Sequence, residues 1–151
     1  MEAVDANTKI IFLCSPNNPT GNSFSDESVV YLLNNFNGLV VIDEAYIDFS
    51  TKASWVNELD AYPNLVITQT LSKAYGLAGI RLGICYASEA IIGVLNKIKP
   101  PYNVNELTQQ RAIERLQQPT KIDLEINSII AQRDILLKAL LKVNFVEVVY
   151  P

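Results

Sequence analysis

Four short apolar runs, separated by stretches of helical periodicity, constrain this chain more than any other feature. Lys9-Ile10-Ile11-Phe12-Leu13-Cys14 ends in a Pro/Asn/Gly cluster and reads as a strand buried on both faces, followed by a turn. Leu39-Val40-Val41-Ile42 repeats the pattern and stops at Asp43. Leu65 to Thr70 repeats it again and stops at Ser72-Lys73, and Leu82 to Tyr86 is a shorter fourth run. Between the first two runs, Ser25 precedes Asp26 and Glu27 and then Val29, Val30, Leu32 and Leu33, the pattern of a capped amphipathic helix ending near Gly38. A strand, a helix and a strand imply a parallel pair. The expected class is therefore α/β, a three-layer, mostly parallel sheet flanked by helices.

Further along, Ser88 can cap a helix carrying Ile91, Ile92, Leu95 and Ile98, which Pro100-Pro101 must end because proline lacks an amide donor and clashes with the preceding turn. Asn105 can cap the next, through about Gln117. From Lys121 to Val143, Ile122, Ile126, Ile129, Ile130, Leu137, Leu140 and Leu141 follow the spacing of a long helix with one buried stripe. Phe145 to Tyr150 reads as a strand. No internal repeat or Gly/Ser-rich linker divides the chain.

Three of the strands end in polar clusters: Asn17-Asn18-Pro19-Thr20-Gly21, Asp43-Glu44-Ala45-Tyr46 and Thr70-Leu71-Ser72-Lys73. In a parallel sheet those carboxyl ends lie on one side and form the crevice where ligands bind. An amide, a carboxylate beside a phenol, and a lysine among hydroxyls then converge. A lysine directly after a buried strand can act as a nucleophile toward aldehydes where desolvation lowers its pKa; taken by itself, Lys73 is better read as the start of an exposed helix, simply solvated. The small residues of Ala74-Tyr75-Gly76-Leu77-Ala78-Gly79 let a ligand approach the backbone, and Arg81 offers a permanently charged fork suited to phosphate. Asn18-Pro19-Thr20-Gly21 is also an ordinary turn sequence. Leu39 to Glu44 resembles a Walker B strand, but no GxxxxGK[ST] loop precedes it. Tyr75 and Tyr102 read as packing residues, and Trp55 as a partly exposed cover over a helix.

Composition removes several chemistries. The chain has no histidine, so a Ser-His-Asp triad, a Cys-His dyad or a His-bearing metal site cannot be built from these residues alone. Scattered charges summing to −4 lack the basic stripe that nucleic acid requires. The longest apolar run, Ile10 to Cys14, is far short of the roughly 20 residues that span a bilayer. Met1 to Asp5 shows no basic or apolar leader region, so the expected compartment is the cytoplasm. Cys14 and Cys85 form no CxxC pair and are expected as buried free thiols.

The three motifs Ser15-Pro16-Asn17-Asn18-Pro19-Thr20-Gly21, Asp43-Glu44-Ala45-Tyr46-Ile47-Asp48-Phe49 and Thr70-Leu71-Ser72-Lys73-Ala74-Tyr75-Gly76-Leu77-Ala78-Gly79-Ile80-Arg81 resemble the core motifs of fold-type I pyridoxal-phosphate aminotransferases. Order and spacing agree from about residue 8 to the chain end. The resemblance is strongest to the histidinol-phosphate branch, through Tyr46, where acyl-transferring synthases of similar pattern carry a histidine, and through Ile47-Asp48-Phe49 and Pro100-Pro101-Tyr102-Asn103-Val104-Asn105. A phosphothreonine decarboxylase or an aromatic aminotransferase shares the pattern.

The resemblance implies pyridoxal 5′-phosphate as cofactor, with Lys73 as the Schiff-base lysine and proton shuttle. Asp43 would face the pyridine nitrogen, Tyr46 and Asn18 the ring 3-oxygen, and Thr70, Ser72 and Arg81 the phosphate; Lys73, Asp43 and Tyr46 would carry the catalysis. It also implies a homodimer that acts on small molecules, L-histidinol phosphate and 2-oxoglutarate, as a step of histidine biosynthesis. Members of that family are more than twice as long. The expected organisation is therefore part of a cofactor-binding large domain over residues 1–144, with a small carboxyl-terminal domain beginning at 145–151. A chain lacking the substrate-binding arginines is expected to be inactive alone. The competing expectation is a noncatalytic folding or dimer-forming segment.

Overall fold

The computed structural model describes residues 3–147. Four strands, β1 (Ile10–Cys14), β2 (Leu39–Asp43), β3 (Leu65–Thr70) and β4 (Gly83–Ala87), form one sheet in the order β1-β2-β3-β4. The first three are mutually parallel and β4 runs antiparallel to β3. The sheet is thus mostly parallel and flanked by helices, as the alternation of runs requires. Helix α1 (Asp26–Asn35) crosses between β1 and β2; α2 (Glu89–Ile98), α3 (Glu106–Leu116) and α4 (Pro119–Leu140) follow β4. Among the described residues no helix is long and apolar enough to cross a membrane.

Helix starts follow their capping chemistry closely. Ser25 Oγ accepts from the Ser28 amide at 3.2 Å and Asn105 Oδ1 from the Thr108 amide at 2.9 Å, each satisfying a donor that the first helical turn leaves unpaired. Ser88 also begins its helix, but its hydroxyl donates to the Pro63 carbonyl at 3.2 Å instead of capping.

Register aligns Leu13, Ile42, Ile67 and Tyr86 in one row across the sheet. On that face α1 contributes Val29 and Leu33, and Trp55, Val56 and Leu59 pack beside them. Val40, Ile42, Leu65 and Ile67 are fully buried there, each side chain stabilising the fold by about 1.5–3 kcal/mol.

Several expectations need correction. β1 is not buried on both faces: Ile10, Phe12 and Cys14 point away from the core, and Phe12 is 70% exposed. As an edge strand it has a hydrogen-bonded neighbour on one side only, and among the described residues no helix covers its outer residues. Cys14 and Cys85 are free, as expected, but exposed rather than buried; both belong to the outward-facing row Cys14–Asp43–Thr68–Cys85. The long helix forms, yet of its apolar stripe only Ile122 is buried, while Ile129 is 52% exposed. At 22 residues it is ~33 Å long, roughly twice the span of a strand of five or six residues. Tyr102 is 94% exposed and packs on nothing. Of the strand expected at Phe145 to Tyr150, Phe145–Glu147 form a turn and an irregular stretch, and the remainder lies outside the described residues.

Candidate functional site

The carboxyl ends of β1, β2 and β3 lie on one edge of the sheet, and the three polar motifs meet there. After β1, Ser15–Pro16 and Asn18–Pro19 are cis peptides. The turn closes through Gly21, whose amide donates to the Asn17 carbonyl at 2.8 Å and whose φ of 75° is a conformation that residues with a Cβ rarely adopt.

Residues alternate sides where β2 ends. Asp43 falls on the outward-facing row with Cys14 and Thr68. Its Oδ1 accepts from the Ala45 amide at 3.0 Å, which pins the carboxylate. Glu44 turns to the other side and is 1% exposed, accepting from Ser54 Oγ at 2.6 Å, the Trp55 amide at 2.8 Å and Gln69 Nε2 at 2.9 Å. Sequence reasoning gave Glu44 no role. Its signal was the acidic pair itself: two carboxyl groups in succession at a strand end cannot share a face.

A cavity of about 150 Å³ opens beside Asp43, lined by Cys14, Pro16, Asn18, Asp43, Ala45 and Tyr46. Asn18 Nδ2 donates to Tyr46 Oη at 2.8 Å. Lys73 Nζ stands 5.3 Å from the centroid of the Tyr46 ring, a cation–π distance. The Asn18 hydrogen bond first, and then the Lys73 ammonium, hold the Tyr46 phenol below the usual tyrosine range, against smaller opposing effects of burial and Asp43. Asn18→Ala removes the leading cause, so the Tyr46 phenolate is expected to form at higher pH than in the parent chain. An ultraviolet pH titration, with Tyr46→Phe as the subtraction blank, reads that shift.

A larger cavity of about 310 Å³ lies beside the Pro16–Ser23 loop, where Phe49, Lys52 and Arg133 line it. Its cations are already engaged: Lys52 Nζ sits 2.7 Å from Asp26 Oδ1, and Arg133 Nη1 donates to the Phe49 carbonyl at 2.9 Å. The smaller cavity, with its unlike groups, is the better candidate.

Of the expected site residues, Asn18, Asp43, Tyr46 and Lys73 are brought together. Thr70 Oγ1 accepts from the Ser72 amide at 3.1 Å, so these two adjoin at the end of β3. Arg81 returns toward them because the loop after β3 closes, with the Leu71 amide donating to the Leu82 carbonyl at 3.2 Å. Its guanidinium, however, donates to the Ala78 carbonyl at 3.0 Å and makes no hydrogen bond to Thr70 or Ser72. The residues fit a pyridoxal phosphate in their donor set: an amine, a carboxylate pinned by one oxygen, and an amide–phenol pair around a small cavity. The three residues expected to hold its phosphate, Thr70, Ser72 and Arg81, lie near one another in the fold but form no preassembled cradle.

Comparison with known proteins agrees with this geometry. Residues 1–149 match the family described as aminotransferase class I and II. A histidinol-phosphate aminotransferase of Flavobacterium johnsoniae is 82% identical over 151 residues, all of this chain and 43% of that protein. Among solved structures, the histidinol-phosphate aminotransferase of Sinorhizobium meliloti in complex with pyridoxal-5′-phosphate has a TM-score of 0.79 at 26% identity, covering 89% of this chain and 38% of that one. The L-threonine-O-3-phosphate decarboxylase of Porphyromonas gingivalis has a TM-score of 0.82 at 28% identity, covering 100% and 47%. The chain therefore spans less than half the length of the relatives it matches. With motif order, fold and a match over nearly every residue in agreement, the chain belongs to the aminotransferase class I and II family.

Proposed function

We propose that this chain is the cofactor-holding part of a pyridoxal-phosphate-dependent histidinol-phosphate aminotransferase. The observation that carries the reading is Lys73 Nζ standing 5.3 Å over the ring of Tyr46, a residue that lines the Asp43 cavity. The 82% identity to the Flavobacterium johnsoniae protein supports the substrate. In the net reaction the amino group leaves L-histidinol phosphate and appears on 2-oxoglutarate as L-glutamate, while the ketone oxygen passes to imidazole-acetol phosphate. In histidine biosynthesis this runs toward histidinol phosphate. When bound, pyridoxal 5′-phosphate supplies an aldehyde for the amine and a ring that accepts an electron pair.

This chain's own residues do the rest. Lys73 provides the amine that holds the cofactor covalently and, once displaced by substrate, moves a proton at the reacting carbon. Asp43 lines the cavity wall, where its carboxylate would pair with the ring nitrogen of a bound cofactor and favour that nitrogen's protonated form. Asn18 and Tyr46 form a donor pair whose lowered phenol pKa suits it to share a proton with a ring oxygen. Thr70, Ser72 and Arg81 are the phosphate-holding set, for which Arg81 must exchange the Ala78 carbonyl for the anion.

Both the substrate and 2-oxoglutarate are anionic, and a second cation must meet them. Arg81 is committed to the phosphate, and the other three arginines of the sequence are held elsewhere: Arg111 on Glu114, Arg115 on the Tyr75 carbonyl and Arg133 on the Phe49 carbonyl. The isolated chain therefore binds cofactor without turnover. In the whole protein, a cytoplasmic homodimer, residues 1–144 belong to the large domain and 145–151 lead into the small one.

The test is to incubate the chain with pyridoxal 5′-phosphate, reduce with borohydride and map the modified peptide. Labelling at Lys73 is the expected result, and labelling spread evenly over the lysines overturns the reading. The likeness to a phosphothreonine decarboxylase motivates a second assay with the whole protein: histidinol phosphate should yield glutamate from 2-oxoglutarate, and threonine phosphate no carbon dioxide.

A further inference from the structure

The segment that carries Lys73 and Arg81 is a closed loop. Leu71 and Leu82 join at its base, and inside it the Leu77 amide donates to the Leu71 carbonyl and the Gly76 amide to the Lys73 carbonyl, both at 2.9 Å. It contains two residues with left-handed backbone, Gly76 at φ 69° and Arg81 at φ 56°. For Arg81, which has a Cβ, that conformation is disfavoured and persists only where the surroundings hold it.

Helix α3 touches the loop at two polar points. Thr108 Oγ1 donates to the Ile80 carbonyl at 3.2 Å, and Arg115 Nε donates to the Tyr75 carbonyl at 2.9 Å. These carbonyls belong to the two peptide planes that lead into Arg81 and Gly76, so each bond fixes the plane entering a left-handed residue. Between the two contacts Ala112, 5% exposed, packs with Leu71 and Leu77. Thr108, Ala112 and Arg115 are spaced four and three residues apart, and so form one stripe of the helix. Thr108 is 8% exposed, and the Arg115 side chain, 11% exposed, is braced from behind by Glu125 of α4.

We infer that this stripe of α3 is the template that positions Lys73 and Arg81, with Thr108 and Arg115 as positioning residues that clamp the loop at its two left-handed turns. The inference deepens the proposed cofactor site and rests on that reading for its functional meaning. The backbone clamp itself is testable without cofactor. Lys73 and Arg81 lie eight positions apart on one loop, and must reach an aldehyde and a phosphate on the same small molecule. A loop free to rotate at Gly76 or Arg81 would present one group and lose the other.

The experiment measures amide hydrogen exchange on the chain without cofactor, comparing the parent with Thr108→Val, Thr108→Ser and Arg115→Met. The valine variant keeps shape and loses the hydroxyl. In Arg115→Met the Gly76 and Leu77 amides are expected to exchange about fivefold faster or more, and in Thr108→Val the Ile80 amide likewise, the effect of losing one buried hydrogen bond. The β2 amides Val40 to Asp43 should be unchanged, and Thr108→Ser should restore the parent rate. Unchanged loop exchange overturns the inference, as does acceleration spread equally over the sheet, which marks a general stabilising role.

Added pyridoxal 5′-phosphate gives a second readout. Thr108→Val should weaken half-saturation about fivefold while leaving the final yield of reduced Lys73 intact, whereas Arg115→Met should lower that yield. Variants that open the loop yet bind and label as the parent does overturn the positioning role. Failure of the parent chain to label Lys73, with the exchange pattern as expected, instead overturns the cofactor reading and leaves the clamp established.

Discussion

A Lys73→Ala chain treated with pyridoxal 5′-phosphate and borohydride is expected to carry no site-specific label, only the faint background of exposed surface amines. The loss is total because, among the described residues, no second lysine stands over the Tyr46 ring and none lines the Asp43 cavity. On the proposed reading the same substitution in the whole protein removes both the covalent anchor and the proton carrier, and turnover should fall by at least roughly 10,000-fold. Lys73→Arg separates these functions from charge. It keeps a cation over the Tyr46 ring, so the Tyr46 phenol should still ionise early, yet it forms no reducible adduct. If Lys73→Arg labels like the parent chain, the nucleophile has been misassigned.

Why Lys73 could be found from sequence, while its supports could not, follows from what each depends on. Lys73 ends a buried run, and the three runs are parallel, so its place on the ligand-binding edge follows from periodicity. Ser25 and Asn105 likewise announce their helices by local chemistry. The reversal of β4 was not legible: the link over 71–82 is as long as a short parallel crossover, and only the structure shows that it holds a single 3-10 turn, Ala78–Ile80, and no α-helix. Exposure of Cys14, Phe12 and Ile129 was not legible, because apolar character fixes which residues prefer burial but not which elements arrive to cover them. The contacts that set the site are more hidden still. Arg115 meets the Tyr75 carbonyl across 40 positions and Thr108 the Ile80 carbonyl across 28, and a main-chain carbonyl has no sequence signature. What could have been read was the four-and-three spacing of Thr108, Ala112 and Arg115, two polar residues flanking a small one on a single helix face.

Glu44 carries the largest expected effect on stability. It stands next to Asp43 but faces the opposite side of the sheet, and its two oxygens bind three donors from two separate segments: Ser54 Oγ, the Trp55 amide and Gln69 Nε2. Glu44→Ala deletes the shared acceptor and strands the Trp55 amide and the Ser54 hydroxyl, while the Gln69 amide group keeps only Ser54 Oγ at 3.3 Å. At about 1–3 kcal/mol for each unsatisfied buried donor, a loss of about 3–5 kcal/mol is expected. That is roughly a 10 °C fall in Tm for a chain of this size. Glu44→Gln keeps the shape and one carbonyl oxygen but turns an N–H group toward other donors, so about 1–2 kcal/mol is expected, read as a lower urea midpoint with an unchanged slope. The readout that connects stability to the site is the order of the two losses. Because the Glu44 carboxylate ties the strand end where Asp43 turns outward to Gln69 of β3 and to Ser54, Glu44→Gln should lower Lys73 labelling before it lowers the folded fraction. Labelling that tracks the folded fraction throughout would confine Glu44 to the core.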